Sequence, residues 1–350
     1  MEHTTPTSSR KKEHLRICCE RAIEAGDAGF GDVRLAHNAL PECDMEQIDI
    51  GTRFLNTPLG SPLFIAAMTG GHPDTMEVNQ LLARAAEHFN LGMGVGSQRA
   101  ALENPDLADS FSVVREEAPS AFLCANLGII QLRDHGIEWA ERAVEMIDAQ
   151  AIAIHLNPLQ EAIQPEGDHD TGGCLEALRN LCREFKRPVI VKETGSGISA
   201  ATARDLYGAG AAAIDIGGWG GTNWAAVECL RASDVGLARL GEDFLGWGIP
   251  TVVSLREVCS TGGSVIATGG LRSGIDIAKS VALGACLGGM ALPLLKPAMQ
   301  GEDELFAAID TIHRQLRVTM FLTGSRTVQD LRRTHVYITG ITRQMIENSY

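Results

Sequence analysis

Apolar residues recur along the chain in short unbroken runs, at Leu63–Met68, Gly92–Val95, Ala121–Asn126, Ala151–Leu156, Val189–Lys192, Ala212–Ile216, Val265–Thr268 and Leu287–Leu292. Runs of this length with no polar alternation predict strands buried on both faces. Between most of them the apolar period lengthens to that of a helix, as in Glu77–Phe89, Ile137–Asp148, Cys174–Phe185 and Ser199–Ala209. Buried strands alternating with helices form a parallel sheet, and eight such units in one chain predict an α/β fold closed as a (β/α)8 TIM barrel rather than an open doubly wound sheet.

The units repeat at roughly thirty residues. The interval lengthens after the sixth strand, where Trp219–Gly263 inserts helical and loop material. Residues 1–60 read as an N-terminal arm and a leading segment, 61–300 as the barrel with its insertion, and 301–350 as a helical extension broken near Thr323-Gly324-Ser325, all within one catalytic domain. Met1–Ser9 reads as a frayed arm, followed by RKKEHLRICCERAIE, whose apolar positions Leu15, Ile17, Cys18, Ala22 and Ile23 predict a short amphipathic helix opening in a basic cluster.

Composition fits a folded enzyme: of 350 residues 45% are hydrophobic, 21% charged and only 5% aromatic, and the net charge is −14. That acidity disfavours nucleic acid and anionic membrane surfaces as partners, and the few aromatics argue against base-stacking platforms. Neither a signal peptide nor a run of about twenty apolar residues is found. Nine cysteines without ligand spacing read as reduced thiols, which points to the cytoplasm.

Barrel enzymes place their chemistry at the C-terminal strand ends. Here those ends carry Ala67-Met68-Thr69-Gly70-Gly71, Gly96-Ser97-Gln98-Arg99, Asn126, then His155, Asn157, Gln160 and Glu161, followed by Lys192 and Thr222. A lysine inside a parallel barrel requires a carboxylate or an anionic ligand, and Glu193, its neighbour, points to the other side of the strand. His155 and Asn157 share one side, with Gln160 and Glu161 in the loop beyond. The turn Thr268-Gly269-Gly270-Leu271-Arg272-Ser273-Gly274 opens a helical pattern after strand seven, the place where barrels bind phosphate.

The ordered set RKKEH, AAMTGG, GSQR, ANLG, HLNPLQE, VKETGSG, GGWGGTNW, ATGGLRSG and MALPLLKP closely resembles the FMN-dependent type 2 isopentenyl-diphosphate isomerase family over nearly the whole chain. The resemblance implies interconversion of isopentenyl and dimethylallyl diphosphate, small-molecule substrates of isoprenoid biosynthesis, on an FMN that must be reduced, with Mg2+ and with NADPH as reductant. It implies that Ala67, Met68, Thr69, Ser97, Asn126, Lys192, Thr222, Gly270, Leu271, Arg272, Ala291 and Leu292 hold the flavin. Arg10, Lys11, Ser97, Gln98, Arg99 and Gln160 would bind the substrate, His155, Asn157 and Gln160 would act on it, and Glu161 would hold the metal. Lys192 would face the flavin N1–C2 carbonyl region, and the reduced flavin would be the acid and base, with Gln160 orienting the alkene or relaying a proton. Gly217 departs from the serine of many relatives. The family's habit of assembly implies a homo-oligomer, a tetramer or octamer. A 2-hydroxyacid oxidase would need a His and an Arg together on a late loop, and Gly262–Val265 has neither. An IMP dehydrogenase-like enzyme would need a cysteine after strand six, where Cys229 and Cys259 are poorly placed. A non-catalytic diphosphate-binding barrel is the remaining alternative, opposed by Lys192, Gln160 and Glu161.

Overall fold

The eight apolar runs close on themselves. In the computed structural model, which describes residues 6–232 and 234–348, with the side chains of residues 6–10 and 12 outside that set, three short strands come first: β1 (Val33–Leu35) and the hairpin β2 (Thr52–Phe54) and β3 (Thr57–Leu59). The barrel follows as β4 (Leu63–Ile65), β5 (Gly92–Gly94), β6 (Phe122–Gly128), β7 (Ala151–Leu156), β8 (Val189–Glu193), β9 (Ala213–Asp215), β10 (Val265–Ala267) and β11 (Leu287–Met290). Every neighbour pair is parallel and in sequence order, and β11 pairs with β4 to complete the ring. The expected (β/α)8 barrel is therefore the fold.

The helices are α1 (Pro6–Glu20), α2 (Met76–His88), α3 (Arg99–Glu103), α4 (Asp109–Glu117), α5 (Ile129–Met146), α6 (Pro158–Ile163), α7 (Cys174–Glu184), α8 (Ala200–Gly208), α9 (Trp224–Arg231), α10 (Val235–Asp243), α11 (Thr251–Cys259), α12 (Gly274–Ala282), α13 (Leu292–Ala298), α14 (Glu302–Leu322), α15 (Val328–Leu331) and α16 (Gly340–Glu347). Sequence periodicity places the second half of α5 at Ile137 because Gly136, at φ 68°, breaks the helix just before it. Helix α1 begins at Pro6, inside the stretch read as a frayed arm. The insertion after β9 holds α9, α10 and α11. Between the tail helices α15 and α16 lies a strand that periodicity does not reveal, β12 (Val336–Ile338), which pairs antiparallel with β1 through Val33↔Ile338 and ties the C-terminal extension to the leading segment. Three residues are too few to show a period of two.

Two apolar layers hold the ring. Between strands and helices, Ile65, Leu123, Ile152, Val191 and Ile214 are almost fully buried against Leu82, Val144, Leu178 and Ile277. Inside the ring, Phe64, Phe122, Cys124, Ile190 and Ile266 meet Phe54 and Leu59 of the β2–β3 hairpin. Apolar side chains thus fill the N-terminal half of the barrel, leaving the C-terminal strand ends to form the cavity. All nine cysteines are unpaired thiols. No helix among the described residues is long and apolar enough to cross a membrane.

Candidate active site

One cavity opens at the C-terminal ends of the strands, about 1620 Å³ including the solvent space at its opening. It is lined by Ala67, Met68, Thr69, Ser97, Asn126, Lys192, Thr222, Gly270, Leu271, Arg272, Ala291 and Leu292. The same walls carry Lys11, Arg99, His155, Asn157, Gln160 and Glu161. Arg10 falls on a side chain outside the described residues. Gln98 does not reach the cavity: it is fully buried, donates from Nε2 to Ala143 O at 2.8 Å, and accepts from Asn126 N–H at 2.9 Å. Its neighbours Ser97 and Arg99 face inward, whereas its own amide braces β6.

Lys192 gains the carboxylate that its position demands, from a residue the sequence reading passed over. Asp215, one strand along in register, is 2% exposed and lies 3.3 Å from Lys192 Nζ. The Thr268 hydroxyl donates to Asp215 Oδ1 and accepts from Gly217 N–H at 2.9 Å, so the carboxylate is held on both sides. Lys192 also donates to Glu193 O at 2.9 Å, which leaves one of its three N–H groups for the cavity. The signal was present in AAAIDIGG, where an acid interrupts an apolar run one strand after a lysine. The Glu193 carboxylate turns away, as its parity requires, and accepts from the backbone N–H groups of Gly195, Ser196 and Gly197. Burial pushes it up to about 7 against the pull of those donors and of Lys192.

Gln160 and Glu161 stand on α6 rather than in a loop, because Asn157 precedes a helix with Pro158 in its first turn. Asn157 Nδ2 donates to Glu161 Oε1 at 2.8 Å, while Glu161 Oε2 accepts from Gln164 Nε2 at 2.5 Å and Asp168 N–H at 2.8 Å. Gln160 Nε2 donates to Glu228 Oε1 at 2.9 Å. Glu228, on α9, is the second residue the sequence did not betray, since WAAVECLR reads as an ordinary amphipathic helix. It is 2% exposed, pairs with Arg231, and lies 3.2 Å from His14 Nε2 of α1. Arg231 also reaches Glu13, so one buried carboxylate joins α1 to Gln160.

Burial alone would push Glu228 up, but the contacts to His14, Gln160 and Arg231 bring it down to about 2. Burial lowers His14, against the opposing pull of Glu228. A depressed carboxyl stabilises the fold above its unfolded value of about 4.5, and that contribution drains as pH falls towards about 2. Replacing Glu228 by Gln should flatten the acid limb of stability in this window by up to ~3 kcal/mol, read by denaturant titration at successive pH values.

The phosphate end is made of backbone. The turn after β10 is pressed against the loop after β9: a Cβ on Gly269 would collide with Gly218 O, and one on Gly270 with Gly220 O. Both glycines have positive φ, +101° and +76°. The resulting turn leaves the N–H groups of Gly270 and Leu271 without a hydrogen-bond partner among the described residues. Ser273 then caps α12, and Arg272 pairs with Glu24. Small and apolar residues on one wall, a lysine at the centre and unpaired N–H groups at one end fit a phosphorylated flavin. Among the described residues no cluster of three His, Cys, Asp or Glu could hold a metal, so Glu161 could do so only with oxygens from a ligand and water.

Fold and site define a flavin-type barrel enzyme, and the family model for FMN-dependent dehydrogenases matches residues 138–338. Solved structures of the same fold include a mandelate oxidase carrying an FMN adduct (TM-score 0.63, 17% identity, covering 90% of this chain and 94% of that one). A putative lactate oxidase from Pediococcus acidilactici has TM-score 0.67 at 16% identity, over 93% and 87% of the two chains. Sequence relatives are far nearer: isopentenyl-diphosphate delta-isomerases from Methanoregula boonei (65% identical, 98% of this chain and 97% of the relative), Archaeoglobus fulgidus (51%, 97% and 99%) and Methanosarcina mazei (50%, 97% and 94%). The chain belongs to the isopentenyl-diphosphate delta-isomerase family, in its FMN-dependent type 2 form.

Proposed function

We propose that the protein interconverts isopentenyl and dimethylallyl diphosphate on reduced FMN, with Mg2+ at Glu161 and NADPH as the reductant. The observation that carries this reading is the convergence of Lys192, the backbone turn at Gly270–Leu271, and the His155–Glu161 segment on one cavity. When bound and reduced, FMN supplies the proton donor and acceptor for moving the double bond. The chain's own residues bind, orient and shield. Lys192 neutralises negative charge at the flavin, held in place by Asp215. Ala67, Met68, Thr69, Ser97, Asn126, Thr222, Ala291 and Leu292 form the flavin walls with the Gly270–Arg272 turn. Lys11, Arg99, Ser97, His155 and Asn157 surround the diphosphate, with Arg10 beside Lys11 in sequence, and Gln160 is fixed by Glu228 at the alkene. Gln98 acts from behind the wall. Among the described residues the histidines lining the cavity are His14, from α1, and His155, from β7, which disfavours the late-loop histidine of a hydroxyacid oxidase.

Anaerobic incubation with FMN, NADPH, Mg2+ and isopentenyl diphosphate should yield dimethylallyl diphosphate, and absence of that product would overturn the reading. Lys11→Ala should raise KM by roughly ten- to a hundredfold with little change in kcat, because a charge-assisted contact to the diphosphate is worth about 1.5–3 kcal/mol in the ground state and transition state alike. An unchanged KM would mean that Lys11 does not meet the diphosphate. The reduced thiols support a cytoplasmic location for this one catalytic unit. Exposed Val235 and Trp247 on the insertion support a homo-oligomer, a tetramer or octamer, to be measured by light scattering.

A further inference from the structure

His155 is held by a chain of hydrogen bonds that determines which of its nitrogens carries the proton. Asn126 and His155 lie on the adjacent strands β6 and β7, on the same face, since Asn126 registers with Ala153. Asn126 Nδ2 donates to Val95 O at 2.9 Å, and a backbone carbonyl can only accept, so the Oδ1 atom is the one that faces the histidine. His155 Nδ1 lies 2.9 Å from Asn126 Oδ1, which likewise can only accept, so Nδ1 must carry the hydrogen. Gln98 makes the arrangement rigid: its N–H donates to Asn126 O at 2.9 Å and its Oε1 accepts from Asn126 N–H at 2.9 Å. A neutral His155 then presents a bare lone pair at Nε2, which has no hydrogen-bond partner among the described residues while the residue lines the cavity.

We propose that Asn126, braced by Gln98, is a positioning residue that locks His155 in the Nδ1–H tautomer, so that His155 can donate to an ionised diphosphate oxygen only after taking up a proton at Nε2. The inference rests on the diphosphate reading above and deepens it. One proton comes from solvent, the Nε2 lone pair accepts it, and the new N–H donates to a phosphate oxygen, so that nothing is oxidised or reduced. The charges facing the ring are Lys11 from α1, Lys192 from β8 and Arg99 from α3, all cations. Burial first, and then these three, hold His155 down to about 3, so the free site contains a neutral imidazole among cations. An anionic ligand offsets the three cations and opposes the burial by favouring the charged ring. His155 thus becomes a further cation only when the diphosphate has arrived, and an uncharged prenyl alcohol gains nothing from it. Affinity should therefore fall as pH rises through the bound-state value of the histidine.

The test is nitrogen NMR of histidine-labelled holoenzyme with oxidised FMN at about pH 8, where the terminal phosphate, with its second pKa near about 6, is fully ionised. Comparison with His155→Gln assigns the resonance. The free enzyme should show His155 as the neutral Nδ1–H form, and saturating isopentenyl diphosphate should convert it to imidazolium. In Asn126→Ala the free ring should move towards the Nε2–H form, and the pH dependence of the isopentenyl diphosphate Kd should flatten to that of His155→Gln. A free wild-type ring in the Nε2–H form, or a bound ring that stays neutral, would overturn the proposal; the wild-type spectra suffice for this if Asn126→Ala does not fold. Binding that leaves no calorimetric heat and no shifted resonance would instead overturn the diphosphate reading itself.

Discussion

Lys192→Met should yield a protein that no longer retains FMN through gel filtration, with isomerase activity down by at least about a hundredfold, the scale on which a single preorganised electrostatic donor acts. It should also be less stable by about 3–5 kcal/mol, because the substitution strands Asp215, 2% exposed and still fixed by Thr268, as an uncompensated buried charge. These two losses separate. In the double variant Lys192→Met with Asp215→Asn neither charge of this pair remains, and the amide oxygen that replaces the carboxylate can still accept from the Thr268 hydroxyl. Most of the stability lost to denaturant should return, while flavin retention and activity should not. Wild-type flavin affinity in Lys192→Met would sink the assignment of this lysine to the cofactor. Failure of the double variant to recover stability would show that the methionine fits the barrel badly.

The contrast between Lys192 and its partner shows how much of this molecule could be read from the chain. Strand ends were legible because a parallel barrel buries its strands on both faces, so each polar residue at the end of an apolar run stands out, as Asn126, His155 and Lys192 do. Asp215 stood out equally and lay one strand from a lysine, but recognising the pair needed the register that sets Lys192 beside it. Glu228 was illegible for a different reason. On an amphipathic helix an acid is ordinarily solvated, and only the packing of α1 and α6 against α9 turns its carboxylate inward to Gln160 and His14. Gln98 failed in the opposite direction: it stands in GSQR between two residues that face the cavity, yet its backbone turns its side chain towards Ala143. Local sequence indicated that a polar cluster exists at the strand ends, whereas the division between groups that touch a ligand and groups that brace them came from long-range contacts.

Glu161→Gln should abolish Mg2+-dependent turnover, lowering kcat/KM by about two to three powers of ten, and should leave FMN bound. The surrounding donors dictate how the new amide settles. Glu161 Oε2 faces two donors, Gln164 Nε2 and Asp168 N–H, so the amide oxygen of the glutamine must stay there and its NH2 must turn towards Asn157. Asn157 can answer by rotating its own amide to present oxygen, at the expense of the long 3.2 Å contact to Gln160. The fold therefore accommodates the change, but the oxygen that could have met a metal is replaced by hydrogen-bond donors, which no divalent cation accepts as ligands. Titrating Mn2+ by its paramagnetic signal in the presence of inorganic pyrophosphate should show binding to the wild type and a large loss in Glu161→Gln, with Glu161→Asp in between. Equal loss of flavin and of metal response in Glu161→Gln would instead make the residue a brace for α6, since a carboxylate that serves the metal alone has no contact through which to release the cofactor.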